Sequence, residues 1–295
     1  MSEAKGLPKD DPFWSNLPSA TFDWHITKDV PDILYHYTTQ QGLISIVTRA
    51  ELWATKIQYM NDSTEFRLAK ILATDRINKR LQEEKNPETR EKLLKLDEAS
   101  GSPNLNVFVA CFCEEGDLLS QWRGYSGNHG FSIGVEGKRL AQNTNSEGFT
   151  FARCIYDQDL QSQIIDEGIT AALEKTDPYY WFSFNNFLSK VGALFKNALF
   201  HEEREWRLVS GMTSVMHEKV GFRPGRSTIN PYLAVPLGLK AESVINHIIV
   251  GPCPHMELSE NSVSMLLLKQ EIQKKKVGIG LSADTRRSDV PFRNW

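Results

Sequence analysis

The distribution of apolar residues along the chain predicts both strands and helices. After Gly42, apolar side chains recur at intervals typical of a helix: Leu43, Ile46, Val47 and Ala50. Further helices are predicted over 62–97, with a break at Asn86-Pro87, and over 158–175, 178–200 and 257–275. Short apolar or alternating runs predict strands at 33–37, 52–55, 106–113, 130–136, 150–156, 231–236 and 244–250, and another that carries Glu205. A long loop is predicted over 211–230.

The order of these elements favours one fold class. Several strands follow one another without a strict β-α-β rhythm, which predicts an α+β protein with mixed, largely antiparallel sheets. Residues 1–30 are rich in Pro and Asp and are predicted to form an extended arm that docks through aromatic side chains such as Phe22. Residues 31–295 are predicted to form a single domain, with a helical insertion at 66–98 and a helical segment at 158–200.

Composition narrows the class of protein without identifying an activity. Hydrophobic residues make up 40% of the 295 residues and charged residues 24%, as is usual for soluble globular proteins. The net charge of −3 does not indicate nucleic-acid binding, although a local basic cleft is compatible with it. No window approaches the roughly 18 apolar residues of a membrane span. The four scattered cysteines are predicted to be reduced thiols in a cytoplasmic protein: Cys111, Cys113, Cys154 and Cys253.

The segment 200–209 carries the densest charge on a predicted strand. Because side chains alternate along a strand, Glu203, Glu205 and Arg207 are predicted to share one face, towards a cleft or water. The other face, with Trp206, is the core side. Such a set of charges suits a sugar hydroxyl, a phosphate or a developing cation. The alternative is an exposed strand whose charges pair along its surface and contribute little.

Three further clusters have side chains suited to ligands, although each also has a structural explanation. His36 lies near the end of a strand, where it is followed by Thr38. A polar cluster comprises Tyr59, Asn61, Asp62 and Glu65, of which Asn61 and Asp62 also suit a helix cap. A third combines aromatic rings, an amide and a guanidinium, which suit a flat, charged nucleotide: Gln121, Trp122, Arg123 and Tyr125. The alternative for this third cluster is a packed aromatic loop.

Motifs for common cofactors are absent from the sequence. There is no GxGxxG, GxxxxGK[ST], HExxH or GxSxG. The histidines are dispersed, so no metal site is predicted from them. A Mg²⁺ or Mn²⁺ site built from Glu203, Glu205 and Asp62 is the weaker alternative.

Several long motifs resemble one bacterial family of domains of unknown function, family 2971. The similar segments are LYHYT at 34–38, ELWAT at 51–55, Asn61-Asp62 with Glu65, FVACFCEEGDLLSQWRGY at 108–125, GFSIGV at 130–135, EEREWRLV at 202–209 and IIVGP at 248–252. The resemblance extends from about residue 33 to the end of the chain. It implies no activity.

A weaker resemblance, to the ADP-ribosyltransferase fold, does imply one. It rests on a His-bearing strand followed by a Gly-containing helix, and on a late strand with a Glu-x-Glu. The resemblance implies that His36 holds the ribose of NAD and that Glu205 is the catalytic carboxylate, with Glu203 beside it. Glu202 would replace Glu205 if the register differed by one residue. Tyr125 or Tyr59 would stack on the nicotinamide.

The same resemblance implies a function and a set of binding residues. The function is that of an NAD-using ADP-ribosyltransferase or NAD glycohydrolase, which needs no metal. It would be a bacterial defence or toxin effector that acts on nucleic acid, nucleotide or protein. The expected ligand contacts are His36, Tyr37, Thr38, Tyr59, Asn61, Gln121, Trp122, Arg123, Tyr125 and Arg207. The pyrophosphate would be held by Arg123, Arg204 or Arg207.

Two other functions stay open at this stage. The same carboxylates suit a hydrolase of phosphodiesters or nucleotides. The clusters also suit a nucleotide-binding or protein-interaction module without turnover.

Overall fold

The structure is a computed structural model that describes residues 21–22, 25, 30–60, 65–100, 106–125, 129–145, 147–225, 227–237, 243–275 and 283–291. Its strands are β1 (Ile33–Thr38), β2 (Glu51–Lys56), β3 (Phe108–Cys113), β4 (Phe131–Glu136), β5 (Phe149–Arg153), β6 (Glu205–Ser210), β7 (Val220–Pro224), β8 (Ile229–Pro236), β9 (Ile245–Val250) and β10 (Asp284–Arg287). Its α-helices are α1 (Gln40–Arg49), α2 (Glu65–Glu83), α3 (Pro87–Ser100), α4 (Leu119–Tyr125), α5 (Gly137–Asn145), α6 (Gln158–Glu174), α7 (Tyr180–Gly192) and α8 (Met256–Lys275).

The described strands form one sheet. Their order is β10-β9-β4-β1-β3-β2-β8-β7, with β6 also paired to β3 and β5 paired to β6. Pairing between them is antiparallel except for β9 and β10, which are parallel. The α+β class and the largely antiparallel sheet are therefore confirmed. The apolar pattern did not predict β10.

The central strand β3 pairs with three strands, and this opens a fork in the sheet. β6 runs along one whole edge of β3, so β1 and β2 share the other edge. On that edge β1 is paired at Cys113, and β2 is paired at Val109 and Phe108. Cys111 lies between these contacts, opposite neither strand. We call this gap between β1 and β2 the fork.

Helices cover both faces of the sheet. On face A, α2, α3, α6 and α7 enclose a core that includes Val109 and Val209. On face B, α1, α5 and α8 enclose a second core that includes Phe112, Trp206 and Leu208. The helical insertion and the helical segment predicted from the sequence therefore both contribute to the layer on face A. No helix in the described part of the chain is long and apolar enough to span a membrane.

Local chemistry sets the ends of several helices. Thr39 caps α1, because its hydroxyl accepts a hydrogen bond from the backbone N–H of Gly42 at 3.2 Å. Ala50 ends the same helix in the left-handed conformation, with a φ of 54°. The break predicted between α2 and α3 is a cap as well, since Asn86 accepts from the N–H of Glu88 at 2.9 Å and Pro87 starts α3.

The segment before β6 differs from the expected continuous helix and strand. Residues 178–200 are not one helix, because α7 ends at Gly192 and a 3₁₀ helix follows at Ala198–Glu203. Arg204 then takes a left-handed conformation with a φ of 40°. The strand alternation therefore starts at Glu205, and Glu203 lies outside the strand that was expected to carry it.

The loop expected over 211–230 contains a strand. β7 forms a hairpin with β8, in which Arg223 pairs with Asn230 and Gly221 pairs with Tyr232. The sequence of β7, VGFRP, has a single large apolar residue and a terminal proline, so its strand pattern is weak. It forms because β8 offers it a free edge.

Part of the arm lies in the described region and docks on face A. Phe22 is buried, and its ring meets the edge of Phe187 with 6.3 Å between the centroids. His25 lies nearby, with its Nε2 atom 2.7 Å from the carbonyl oxygen of Arg153. Phe22 is the aromatic residue through which this segment docks, but Thr21, Phe22 and His25 are helical rather than extended as expected. The other residues of the predicted arm fall outside the described residues, apart from Thr21 and Val30.

Candidate functional site

Four charged side chains on face A form a buried network. The guanidinium of Arg207 donates to Glu205 twice, from Nε to Oε1 at 2.7 Å and from Nη2 to Oε2 at 3.0 Å. Lys196 donates to Oε2 of Glu205 and to Oε2 of Glu203. A third N–H of Arg207 donates to the carbonyl oxygen of Ala193 at 2.9 Å. Each charge in this network has an opposite charge within hydrogen-bonding distance.

The network is shielded from water. The side chains of Arg207 and Glu205 are 1% and 7% exposed. The expectation that Glu203, Glu205 and Arg207 face a cleft or water is therefore wrong for two of the three. The reason is that the chain following α7, which supplies Ala193 and Lys196, lies over this part of the sheet.

The ion pairs keep Glu205 charged. Burial by itself would raise the pKa of Glu205, but the charges of Arg207 and Lys196 outweigh burial. Hydrogen bonds from Arg207 and from Cys111 act in the same direction as these charges. Together they lower the pKa of Glu205 to about 2.

Glu203 is the member of the network that lies nearest to solvent. Its side chain is 14% exposed, although it shares Lys196 with Glu205. Burial, and after it the charge of Glu203, raises the pKa of Tyr125 at the end of α4. Tyr125 is 41% exposed, and we call the solvent-facing side of the network, with Glu203 and Tyr125, the rim. Glu202, which was considered for the case of a shifted register, is exposed in the 3₁₀ helix.

His36 occupies the fork. Its Nδ1 atom lies 2.9 Å from the carbonyl oxygen of Cys111. Since a carbonyl only accepts, Nδ1 carries the proton, and Nε2 of the neutral ring is an acceptor. Burial lowers the pKa of His36, the hydrogen bond to Cys111 opposes this, and the charge of Arg223 lowers it further. Nε2 has no hydrogen-bond partner among the residues that the structure describes.

Cys111 connects the fork to the buried network. Its carbonyl accepts from His36, while its thiol is hydrogen-bonded to Glu205. Burial, followed by the charge of Glu205, raises the pKa of the Cys111 thiol well above its usual value, so the thiol stays protonated. The structure thus brings His36 and Glu205, which are far apart in sequence, to two sides of one residue.

A guanidinium that was not predicted as a site residue lies beside the fork on face A. Arg223 donates from Nη2 to the hydroxyl of Thr55 at 2.7 Å. Its guanidinium carbon lies 6.0 Å from the ring centroid of Trp53, and that of Arg49 lies 5.4 Å from the same centroid. Trp53 in turn stacks on Tyr232, with 4.3 Å between centroids and 19° between planes.

The two charged regions share one face of the sheet. Residues directly opposite each other in an antiparallel pair point to the same side. Cys111 is opposite Arg207, and Val109, two residues away on β3, is opposite Thr55. Thr55 is opposite Tyr232, and Tyr232 is opposite Gly221 of β7. Arg223 lies two residues after Gly221 and so points to the same face. Arg223 and the buried network therefore both lie on face A. His36 is opposite Ile133 and packs against Phe112, which both belong to the core on face B, so its side chain reaches the fork from face B.

Several residues expected to contact a ligand instead hold α4 in place. The hydroxyl of Tyr37 donates to the carbonyl oxygen of Glu115 at 2.8 Å and accepts from the N–H of Leu118 at 2.9 Å. Trp122 packs on the ring of Tyr37 and donates from its indole nitrogen to Asp117 at 2.6 Å. Tyr37 and Trp122 are buried, as are Gln121 and Thr38. The aromatic cluster is a helix rather than a loop, and its buried side faces a small core.

The remaining predicted contacts differ in their access to solvent. Arg123 and Tyr59 are exposed. Arg204 forms an exposed ion pair with Glu115 at 3.1 Å. Asn61 lies outside the described residues, as does Asp62. Of the three arginines considered for a pyrophosphate, Arg207 is enclosed in the buried network and is not available to a ligand.

The described residues contain no group of three His, Cys, Asp or Glu side chains arranged to hold a metal ion. The weaker alternative of a carboxylate site relied on Asp62, which falls outside them. Within the described part, Glu203 and Glu205 are both engaged by Lys196.

Comparison with known proteins supports one of the two resemblances. No curated protein and no solved structure matches the chain. The likeness to ADP-ribosyltransferases receives no support from these comparisons and stays a prediction from the motifs. Residues 121–208, which include most of α4 and most of β6, match the model of a family described as protein of unknown function (DUF2971), and over these residues this confirms the resemblance to that family.

Proposed function

We propose that the protein is an NAD-using enzyme that breaks the bond between nicotinamide and ribose, as an ADP-ribosyltransferase or an NAD glycohydrolase. The observation that carries the proposal is the pair formed by His36 and the carboxylate network on two sides of Cys111. The His36 ring is fixed by its Nδ1 proton, and its Nε2 lone pair is left without a partner in the described structure. A sugar hydroxyl is a suitable donor for that lone pair.

The chemistry needs few groups. When the glycosidic bond breaks, its electrons leave with nicotinamide, which becomes neutral, and positive charge develops on the ribose. Water or an acceptor group then adds at the same carbon and loses a proton. A carboxylate held close to the developing charge stabilises it, and the hydrogen bond to His36 orients the ribose.

The two carboxylates of the network suit different roles. Glu205 is enclosed and kept ionised, so we assign it a positioning role through Lys196. Glu203 reaches the rim beside Tyr125, so we assign it the contact with the ribose. Tyr125 is then the side chain placed to stack on the nicotinamide ring.

The setting proposed for this activity is the bacterial cytoplasm. All four cysteines lie in described segments and are free thiols, a state that a reducing compartment preserves. Within that setting we propose a defence or toxin effector whose acceptor is a nucleic acid, a nucleotide or a protein.

A second function is favoured by one observation. Both oxygens of Glu205 are already engaged by Arg207 and Lys196. A carboxylate in that state is well suited to holding the sheet together and poorly suited to meeting a substrate. This favours a nucleotide-binding module without turnover, in which His36 recognises the sugar and no bond is broken.

The release of nicotinamide from NAD separates these functions. Purified protein is incubated with NAD, with and without EDTA and with cell extract as a source of acceptor. We expect release that persists in EDTA and that falls by roughly 100-fold or more in His36→Ala and in Glu203→Gln. The matched control is His255→Ala, which changes an exposed histidine outside the fork and should retain full activity.

The outcome decides between the two functions. Absence of release together with NAD-induced thermal stabilisation that is lost in His36→Ala would favour the binding module. Full activity in both His36→Ala and Glu203→Gln would refute the site assignment.

A further inference from the structure

Arg223 is a half-buried cation without a counter-charge in the described structure. No carboxylate among the described residues pairs with it, and its hydrogen bond is to the neutral hydroxyl of Thr55. Burial lowers the pKa of the Arg223 side chain, which means that its surroundings disfavour the charge. Partly buried charges are usually paired, so this guanidinium lacks the group that such a position normally supplies.

The hydroxyl that Arg223 contacts also offers a donor. The Thr55 hydroxyl accepts from Arg223, so its own hydrogen is available to an acceptor, and none is present in the described part of the chain. The guanidinium has further N–H groups beyond the one that meets Thr55. Arg49 adds a second positive charge, with its guanidinium carbon 5.4 Å from the Trp53 centroid. A hydroxyl donor, free guanidinium N–H groups and two positive charges suit an anion.

The aromatic pair gives this site a fixed wall. Trp53 and Tyr232 stack face to face across β2 and β8, and the guanidinium of Arg223 lies 6.0 Å from the Trp53 centroid. Contact with a ring restrains the guanidinium plane, so less conformational entropy is lost when a ligand binds. Arg223 is therefore held in place before the anion arrives.

We propose that Arg223 and Thr55 bind a phosphate group, and that this phosphate belongs to the pyrophosphate of a nucleotide. The inference rests on the proposed function, because that function supplies NAD, a nucleotide with a pyrophosphate, as the ligand. The planar guanidinium suits two phosphate oxygens at once. Arg223 thereby takes the role that the sequence assigned to Arg123, Arg204 or Arg207.

Calorimetric titration of the full chain with inorganic pyrophosphate, ADP and adenosine tests this. We expect ADP and pyrophosphate to bind, and adenosine to bind more weakly than ADP. In Arg223→Gln the affinity for ADP and for pyrophosphate should fall roughly 10- to 100-fold, as expected for the loss of hydrogen bonds to a charged group. The affinity for adenosine should stay unchanged. Thr55→Val should weaken ADP binding by a smaller factor.

A matched control separates the site from a general effect of charge. Arg139 lies on α5 and pairs with Glu136, the last residue of β4, at 3.3 Å. Arg139→Gln removes the same charge at this other position and should leave ADP binding unchanged. Raising the salt concentration should weaken ADP binding to the wild type more than to Arg223→Gln.

The outcomes distinguish this inference from the proposed function. Binding of pyrophosphate and ADP that depends on Arg223, without nicotinamide release from NAD, would support the phosphate site and contradict the enzyme. Equal ADP affinity in wild type and Arg223→Gln would overturn the phosphate site even if NAD is cleaved, as would the absence of binding of both phosphate-bearing probes at millimolar concentration. If Arg223→Gln does not fold, unchanged ADP affinity in Thr55→Val overturns it. Binding of pyrophosphate but not of ADP would identify a site for free phosphates and contradict the nucleotide.

Discussion

The buried network around Glu205 and the fork around Arg223 are two sets of charges on the same face of one sheet. In the network, the carboxylate of Glu205 meets Arg207 and Lys196, and the guanidinium of Arg207 meets Glu205 and a backbone carbonyl. In the fork, Arg223 meets a neutral hydroxyl and an aromatic ring. The first set is complete within the described structure, and the second is not.

This difference indicates which charges stabilise the fold and which are available to a ligand. A buried charge that has all its partners contributes to the packing of β6 against the chain after α7. A partly buried charge that lacks a partner costs free energy in the unliganded protein, and a ligand of opposite charge recovers that cost. The density of charge in the sequence therefore suggested the network as the ligand site. The groups without partners in the described structure instead indicate a ligand site beside the fork.

The largest expected effect comes from breaking the network. Glu205→Gln leaves the size of the side chain unchanged but leaves Arg207 and Lys196 buried with less opposite charge. We expect the free energy of unfolding to fall by about 3–5 kcal/mol. Urea denaturation followed by far-UV circular dichroism measures this. A loss below about 1 kcal/mol would show that the network is not a structural element and would return Glu205 to the list of catalytic groups.

Acid should affect the network in a defined pH range. The pKa of Glu205 is lowered from 4.5 in the unfolded chain to about 2 in the fold, so the unfolded state binds the proton more readily. The stability from this group is complete above about pH 4.5 and is lost as the pH falls through about 2. The lowering corresponds to roughly 3 kcal/mol.

The comparison of two unfolding curves isolates that contribution. Between pH 5 and pH 2, roughly the range of carboxylate titration, the wild type should lose more stability than Glu205→Gln. Parallel pH dependences in the two proteins would contradict the lowered pKa of Glu205.

Removing the charge in the fork should have a much smaller effect on stability. Arg223→Gln takes away a cation that has no counter-charge in the described structure, so we expect the free energy of unfolding to change by no more than about 0.5 kcal/mol. The same urea experiment, without nucleotide, measures it. A loss above about 2 kcal/mol would mean that Arg223 holds the β7–β8 hairpin to β2, which would remove the contrast between the two regions.

The fold was accessible from the sequence where local patterns dominate. The strand at 33–37, the helix after Gly42 and the break at Pro87 follow apolar spacing and capping chemistry, and the structure has an element at each place. β7 and β10 were missed because short strands with few apolar residues depend on the edge of a neighbouring strand.

The site was less accessible for a physical reason. Alternation along β6 correctly placed Glu205 and Arg207 on one face, but it could not indicate that the chain after α7 covers that face. Arg223 lay in a segment expected to be a loop, so its approach to Thr55, distant in sequence, had no local signal. One feature of the sequence could have drawn attention to Arg223: β7 contains this arginine but no acidic residue to pair with it.

The smallest effect links the two side chains of the fork directly. Because the charge of Arg223 lowers the pKa of His36, Arg223→Gln should raise that pKa towards its usual value of 6.5. Burial, the larger cause, is unchanged by the substitution, so the pKa of His36 should stay below 6.5. Titration of the His36 ring protons by NMR in wild type, Arg223→Gln and the control Arg139→Gln measures the change. An unchanged pKa of His36 in Arg223→Gln would show that the guanidinium charge does not act on the imidazole.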